Sequence, residues 1–99
     1  MLNIEKTTNA SELTVSLTGR LDTTTAPELE KELKASLDGV TTLVIDMTAL
    51  DYISSAGLRV LLSAQKTMNK QGEMAITGAN ETIMEVFEVT GFSDILTIK

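Results

Sequence analysis

The sequence contains no cysteine, no histidine and no tryptophan, and its 99 residues include a single proline and a single tyrosine. Without cysteine the chain has no disulfide, no thiolate nucleophile and no zinc–thiolate site. Without histidine it lacks the commonest metal ligand and the usual general base. Any catalytic site would have to be built from carboxylates, hydroxyls and lysines. The composition therefore favours a binding module over an enzyme, and we expect no catalytic residues, no metal and no cofactor.

Long apolar segments are also missing. No apolar run approaches the roughly 20 residues that a membrane-spanning helix needs. The first residues, MLNIEKTTN, lack the basic start and apolar stretch of a secretory signal. We therefore expect a soluble, cytoplasmic protein that does not bind a membrane. The formal net charge of −6, from 14 acidic and 8 basic residues, argues against a nucleic-acid partner, because the phosphate backbone would repel the chain.

The chain has 42% hydrophobic residues spread over every segment, with no repeat and no low-complexity tract. This distribution predicts one globular α/β domain over residues 1–99, and we expect a monomer. Alternating apolar positions predict strands near residues 2–4 and 13–17, joined by a hairpin turn over residues 7–11. A continuous apolar run predicts a central strand over residues 43–45, and further strands are expected at residues 74–76 and 95–98.

Residues at helical spacing predict three helices between these strands; Leu29, Leu33 and Leu37 mark the first, and the second follows from Leu58, Leu61, Leu62, Gln65 and Met68. Thr25 and Glu28 fit a capping box at the start of the first helix, and Gly39 is expected to close it. Asn80 can cap the third helix, whose inner face would be Ile83, Met84, Val86, Phe87 and Thr90. The resulting order, β-β-α-β-α-β-α-β, predicts a mixed four- to five-stranded sheet with helices packed on it.

Two adjacent serines, Ser54 and Ser55, stand between the central strand and the second helix, in a predicted connection over residues 46–58. Ligand sites of open α/β sheets gather at the carboxyl ends of strands. A helix N-terminus also stabilises an anion, including a phosphate attached to serine. The simpler interpretation is that both serines only cap the helix, while Gly57 allows its first turn to approach a strand. A nucleophilic serine is disfavoured because no histidine can accept its proton.

The stretch Asp51–Leu62, DYISSAGLRVLL, resembles the central motif of STAS domains, above all the bacterial anti-sigma factor antagonists. The segment GRLD at residues 19–22, followed by Thr24, Thr25 and Ala26, is similar to that family's first loop. The strand at residues 43–46 and the tail from Gly78 to Phe92 fall where the family has them. The resemblance covers essentially the whole chain and implies the STAS fold.

For such antagonists the resemblance implies a phosphorylation switch. The unmodified protein binds an anti-sigma factor that is also a serine kinase, and this binding frees the sigma factor. The kinase phosphorylates the serine two residues before the loop glycine, here Ser55, and the partner is released; a PP2C-type phosphatase resets the protein. Added charge and bulk at the interface, or repulsion by acidic neighbours such as Asp22 and Asp51, would suffice for release.

The residue before the modified serine is usually Asp in this family, whereas this chain has Ser54. That departure leaves open whether Ser54 is modified instead. For Asp22 a loop-capping role and a partner contact are equally plausible from the residues alone, and Arg59 is either a solvated charge or a partner anchor. By resemblance we expect the partner-binding surface to consist of Asp22, Thr24, Thr25, Asp51, Ser54, Ala56, Gly57 and Arg59.

Three alternatives remain at this level. The first is a scaffold STAS subunit, of a lipid-transport ABC system or a stress-signalling assembly, with no phosphate cycle. A small hydrolase or nucleotide-binding enzyme is disfavoured by the absence of histidine, cysteine and a glycine-rich phosphate loop. A phosphate-accepting receiver domain would use Asp46 at the strand end, but the chain has Gly19–Arg20 and Gly78–Ala79 where the acidic pair and the lysine would be needed.

Overall fold

The computed structural model describes residues 2–99, which leaves Met1 of the predicted domain outside the description. Four strands, three α-helices and a short 3-10 helix follow one another along these residues. They are β1 (Leu2–Asn9), β2 (Glu12–Leu21), α1 (Ala26–Ser36), β3 (Thr42–Ile53), α2 (Ser55–Gln71), β4 (Glu73–Thr77), α3 (Glu81–Thr90) and the 3-10 helix Phe92–Asp94. The predicted alternation of strands and helices after an opening hairpin is confirmed.

The four strands form one mixed sheet in the order β1-β2-β3-β4. Strand β1 pairs antiparallel with β2, and β2, β3 and β4 are parallel neighbours. Because parallel strands are joined by right-handed crossovers, two successive steps in the same direction place α1 and α2 on the same face of the sheet. Val15, Ile45 and Ile76 are fully buried in one core with Leu29 of α1 and Leu61 of α2.

Strand β3 is much longer than its apolar run predicts, and the predicted connection over residues 46–58 is corrected accordingly. The strand continues through Asp46 to Ile53, so that Ser54 alone separates it from α2. Its pairing with β2 shifts register twice, and each shift adds one residue to β3. These bulges space the buried positions Met47, Leu50 and Ile53 three residues apart, which removes the alternation by which a strand is recognised.

The predicted final strand is reduced to a single parallel bridge between Ile76 and Ile98. The 3-10 helix occupies the residues before it, and Ile95 remains 49% exposed. Thr90, expected on the inner face of α3, is exposed and donates its hydroxyl hydrogen bond to the Val86 carbonyl at 2.6 Å. Ile83 and Phe87 are the two residues of α3 that are fully buried.

Of the helix ends predicted from the sequence, the start of α3 is confirmed and the capping box of α1 is not. Asn80 caps α3 as predicted, its side-chain oxygen accepting from the Ile83 N–H at 2.8 Å. The capping box at Thr25 is wrong, because the Thr25 hydroxyl donates to the Arg20 carbonyl instead of accepting from the first turn of α1. Helix α1 ends at Ser36, and the turn after it includes Gly39 at φ +79°.

Candidate functional site

The two loops singled out in the sequence lie side by side at the carboxyl ends of β2 and β3. Leu21 and Ile53, the last residues of these strands, are paired in the sheet. The Ser54 N–H donates to the Leu21 carbonyl at 2.9 Å. A Cβ on Gly57 would stand 2.7 Å from Leu21 Cγ, so only glycine lets α2 lie this close to β2. Sheet pairing and helix packing therefore hold both loops in one place.

The two serines differ in what their hydroxyls do. Ser54 is the N-cap of α2, and its half-buried side chain accepts from the Gly57 N–H at 3.5 Å. The Ser55 side chain is exposed, and its hydroxyl makes no hydrogen bond to any of residues 2–99. The first turn of α2 carries no acidic residue. A phosphate on Ser55 would meet the positive end of the helix dipole without an adjacent helical carboxylate.

In the first loop, Asp22 is a loop-capping carboxylate. Its Oδ1 accepts from the Thr24 N–H at 3.0 Å, from the Thr24 hydroxyl at 2.8 Å and from the Thr25 N–H at 3.1 Å. The Thr24 hydroxyl is the main reason that the pKa of Asp22 lies below its ordinary value, with backbone N–H bonds adding to the effect. Asp22 therefore fixes the turn that leads into α1.

The predicted partner-binding residues divide into an exposed and a buried set. Thr24, Asp51 and Arg59 are exposed, and Asp22, Ser54 and Ala56 are partly exposed. Thr25 is only 6% exposed, and its hydroxyl also accepts from the Asp22 N–H at 2.8 Å. Gly57 is buried against Leu21 and Ile53. Thr25 and Gly57 thus support the two loops from inside the fold, while Thr24, Asp51 and Arg59 form the exposed surface of this end of the molecule.

Two residues at this end of the sheet were missed by the sequence interpretation. Arg20 lies over the ring of Tyr52, with the guanidinium carbon 4.3 Å from the ring centroid. Arg20 Nε also lies 3.8 Å from the Asp22 carboxylate. The pairing of Arg20 with Tyr52 depends on the second bulge of β3, which the sequence does not reveal.

Asp46 does not have the position of a receiver-domain phosphate acceptor. It lies inside β3, well before the strand end, and accepts from the Thr48 N–H at 3.0 Å and the Thr48 hydroxyl at 2.6 Å. These bonds lower the pKa of Asp46, the hydroxyl bond having the larger effect. The Asp46 carboxylate is thus bonded to Thr48 within the first bulge of β3.

Within residues 2–99 no three acidic side chains converge as a metal site would require. No helix over the same residues is both long enough and apolar enough to cross a membrane.

Comparisons with known proteins agree with this architecture. The family model described as the STAS domain matches residues 2–99. BtrV of Bordetella bronchiseptica, named as an anti-sigma factor antagonist, is 41% identical over 88 residues, which cover 87% of this chain and 76% of BtrV. The anti-sigma-B factor antagonist of Staphylococcus aureus is 33% identical over 99 residues, covering 98% of this chain and 92% of the relative.

Solved structures show the same fold at lower identity. An anti-sigma factor antagonist from Mycobacterium paratuberculosis superposes with a TM-score of 0.90 at 23% identity, covering 99% of this chain and 85% of the other. The Bacillus protein SpoIIAA in its phosphorylated form gives 0.75 at 17% identity, covering 100% and 91%; its unphosphorylated form gives 0.77. The fold, the two adjoining loops and the sequence similarity agree, and this chain belongs to the STAS domain family.

Proposed function

We propose that this protein is an anti-sigma factor antagonist that is switched by phosphorylation of Ser55. The observation that carries the proposal is the Ser55 side chain at the first position of α2, which is exposed and whose hydroxyl has no hydrogen-bond partner among residues 2–99. A kinase can reach such a hydroxyl without unfolding the helix. The names of the relatives, BtrV and the Staphylococcus aureus protein, support the same function.

The geometry favours Ser55 over Ser54 as the modified residue. Ser54 is half-buried, and its hydroxyl oxygen is used as the cap of α2. Modification of Ser54 would give up that cap, which is typically worth about 1 kcal/mol. Modification of Ser55 leaves the cap intact, because the Ser55 side chain points into solvent.

In the unmodified state the protein binds an anti-sigma factor, and the sigma factor is released. The surface of the complex includes the exposed residues around Ser55, among them Thr24, Asp51 and Arg59, with Asp22 and Ala56 beside them. Phosphorylation adds close to two negative charges and three acceptor oxygens in the middle of this surface. Desolvation of that charge weakens the complex, and each 1.4 kcal/mol lost is a tenfold loss of affinity.

Release requires no refolding of the antagonist. The N-terminus of α2 accommodates a phosphate, since its dipole favours negative charge there. SpoIIAA offers a parallel, because both its phosphorylated and its unphosphorylated structures match this fold along the full chain. The antagonist performs no chemistry itself: the partner anti-sigma factor supplies the serine kinase activity, and a PP2C-type phosphatase restores the free hydroxyl.

The test is a set of three variants assayed against the anti-sigma factor that phosphorylates the wild-type protein with ATP. Ser55→Ala should bind permanently and resist phosphorylation, whereas Ser55→Asp should lose binding. Ser54→Ala is the matched control, which should be phosphorylated on Ser55 and released like wild type. Intact mass and peptide mapping give the site, and calorimetry gives the affinity.

If Ser55→Ala and Ser55→Asp both bind like wild type, the switch is not at Ser55. A phosphate found on Ser54 would keep the mechanism and move the residue. The scaffold alternative is not favoured by the relatives, which are antagonists by name. It predicts a protein that carries no phosphate in its native cells under any growth condition.

A further inference from the structure

Helix α2 presents one exposed stripe that begins at Ser55. With 3.6 residues per turn, residues four, seven or eight, eleven and fifteen positions after Ser55 return to the same side of the helix. Those positions hold an unbroken row of exposed polar side chains, consisting of Ser55, Arg59, Ser63, Lys66 and Lys70. We call these five residues the α2 stripe.

The α2 stripe is basic in a protein that is otherwise strongly acidic. It contains all three charged residues of α2, Arg59, Lys66 and Lys70, and each of them is positive. All 14 acidic side chains of the chain lie outside α2, together with the other five basic ones. The stripe therefore carries +3 against the negative charge of the rest of the molecule.

The stripe cations are not used inside the fold. Three basic residues elsewhere form ion pairs, namely Lys6 with Glu32, Arg20 with Asp22 and Lys34 with Glu30. Within residues 2–99 no carboxylate lies within 4.0 Å of a stripe cation. Three cations held on a rigid helix without internal partners offer their full charge to another molecule.

We propose that the α2 stripe docks an acidic surface segment of the anti-sigma factor, and that phosphorylation of Ser55 acts by reducing the stripe's positive charge. The proposal rests on the proposed function and identifies the surface and the partner's chemistry. A phosphoserine at the head of the stripe carries close to −2, so that the stripe's net charge falls from +3 to about +1. The attraction that steers the partner onto α2 is thereby weakened, most strongly at Arg59, which lies one turn from Ser55.

A protein partner fits better than a polyanion. A nucleic acid or an anionic membrane presents many charges and would feel the formal charge of −6 of the whole molecule. A short acidic segment of a protein can contact the stripe without also lying against the acidic remainder of the molecule. A shallow groove between α1 and α2 adjoins the stripe and offers apolar contact at Pro27 and Ala56; Glu30, which also lines it, is paired with Lys34 at 3.6 Å.

The experiment compares two double variants with equal net charge. In Arg59→Glu/Lys66→Glu the stripe is reversed, and in Lys31→Glu/Lys99→Glu two exposed lysines away from α2 are reversed. Both are titrated against the anti-sigma factor that phosphorylates the wild-type protein. At low salt we expect the stripe variant to bind at least roughly tenfold more weakly than the control, mainly through a slower association rate.

Salt dependence gives a second readout. Wild-type affinity should fall as ionic strength rises, and that fall should be shallower for the stripe variant, because exposed charges are screened over about 10 Å at 0.1 M salt. Circular dichroism checks folding. If the glutamate variant does not fold, Lys66→Gln/Lys70→Gln removes two charges without adding repulsion, with Lys31→Gln/Lys99→Gln as its control.

Equal affinities for the stripe variant and its control would overturn the inference and leave the Ser55 switch intact. Loss of binding in the stripe variant, with Ser55→Asp still bound, would support the docking surface but overturn both the charge effect of Ser55 phosphorylation and the switch. A 20-base-pair duplex and phosphatidylglycerol vesicles are tested in parallel. If the wild-type protein binds the duplex or the vesicles saturably and the stripe variant does not, the stripe is a polyanion site and the inference is overturned.

Discussion

The Arg20 guanidinium carbon lies 4.3 Å from the centroid of the Tyr52 ring, and the two residues are direct partners across β2 and β3. Tyr52 is 37% exposed, so that the ring and the cation stack on the surface of the sheet. Because Arg20 also faces the Asp22 carboxylate at 3.8 Å, the pair connects the end of β3 to the first loop.

A double-mutant cycle should detect this contact. Arg20→Ala and Tyr52→Leu are expected to couple by about 0.5–1 kcal/mol, the range of an exposed cation–π pair. Urea unfolding of the wild type, the two single variants and the double variant measures the coupling. A cycle between Tyr52→Leu and Lys99→Ala is the control and should give additive changes. Additivity in the Arg20–Tyr52 cycle would show that the stacking contributes nothing to stability.

Gly57→Ala should destabilise the protein although alanine is the better helix former. The new methyl group would stand 2.7 Å from Leu21 Cγ and 3.0 Å from Ile53 Cγ1, and both of these side chains are buried. Overpacking of this kind costs about 1–3 kcal/mol, against about 1 kcal/mol gained in helix propensity. We expect a net loss of about 1 kcal/mol in urea unfolding.

Ser63→Ala, at an exposed position of the same helix, is the control and should change the free energy of unfolding by less than about 0.5 kcal/mol. A Gly57→Ala protein more stable than wild type would mean that α2 can move away from β2. That result would contradict the close approach as the reason for glycine.

Asn80 makes two hydrogen bonds that can be separated by substitution. Its Oδ1 accepts from the Ile83 N–H at 2.8 Å, and its Nδ2 donates to the Leu50 carbonyl at 3.1 Å. Asn80→Ala removes both and should cost about 1–2 kcal/mol. Asn80→Asp keeps the cap and loses only the bond to Leu50, so its loss should be smaller in thermal or urea unfolding. Equal losses would assign the stabilisation to the Leu50 bond.

The pH dependence of stability follows from the composition and from two carboxylates. With no histidine, no side chain has an ordinary pKa between pH 5 and 8, so the free energy of unfolding should stay nearly constant there. Hydrogen bonds hold the pKa values of Asp22 and Asp46 below 3.8 in the folded state, chiefly those from Thr24 and Thr48. These two carboxylates therefore stabilise the folded state at pH values above 3.8, their ordinary pKa, and the stabilisation is lost as the pH falls through the lowered pKa.

Stability should therefore decline below about pH 4. Asp22→Asn should be less stable than wild type at neutral pH, and the difference should shrink as the solution is acidified. Urea midpoints measured between pH 2.5 and 8 test this. A difference that grows on acidification would reverse the assigned direction of the Asp22 pKa.

Local patterns in the sequence were sufficient for most of the fold. The four-residue repeat of Leu29, Leu33 and Leu37 predicted α1, and Asn80 marked the start of α3. Ser54 and Ser55 were expected to stand between the central strand and the second helix, and they lie where β3 meets the first turn of α2. These signals succeed because each depends on neighbours within one or two turns of the chain.

The remaining features depend on contacts between distant parts of the chain. The length of β3 depends on bulges that exist only opposite β2. The Thr25 hydroxyl bonds to Arg20 in the preceding strand, although its sequence context is that of a capping box. Arg20 and Tyr52 are far apart in sequence and meet only through the bulged register. Tertiary context decides each of these, and single-residue propensities do not contain it.

Each of the two bulges of β3 absorbs one extra residue, so that the side chains beyond it keep the face set by their partners in β2. Leu50, between the two bulges, and Ile53, beyond both, lie opposite Gly19 and Leu21 and are buried as Ile45 is. Deleting one residue at either bulge would restore plain alternation there and leave Ile53 paired with Leu21, facing the core. We therefore expect β3 to tolerate the loss of one residue at a bulge better than the loss of one residue from its regular pairing with β2 over residues 42–46.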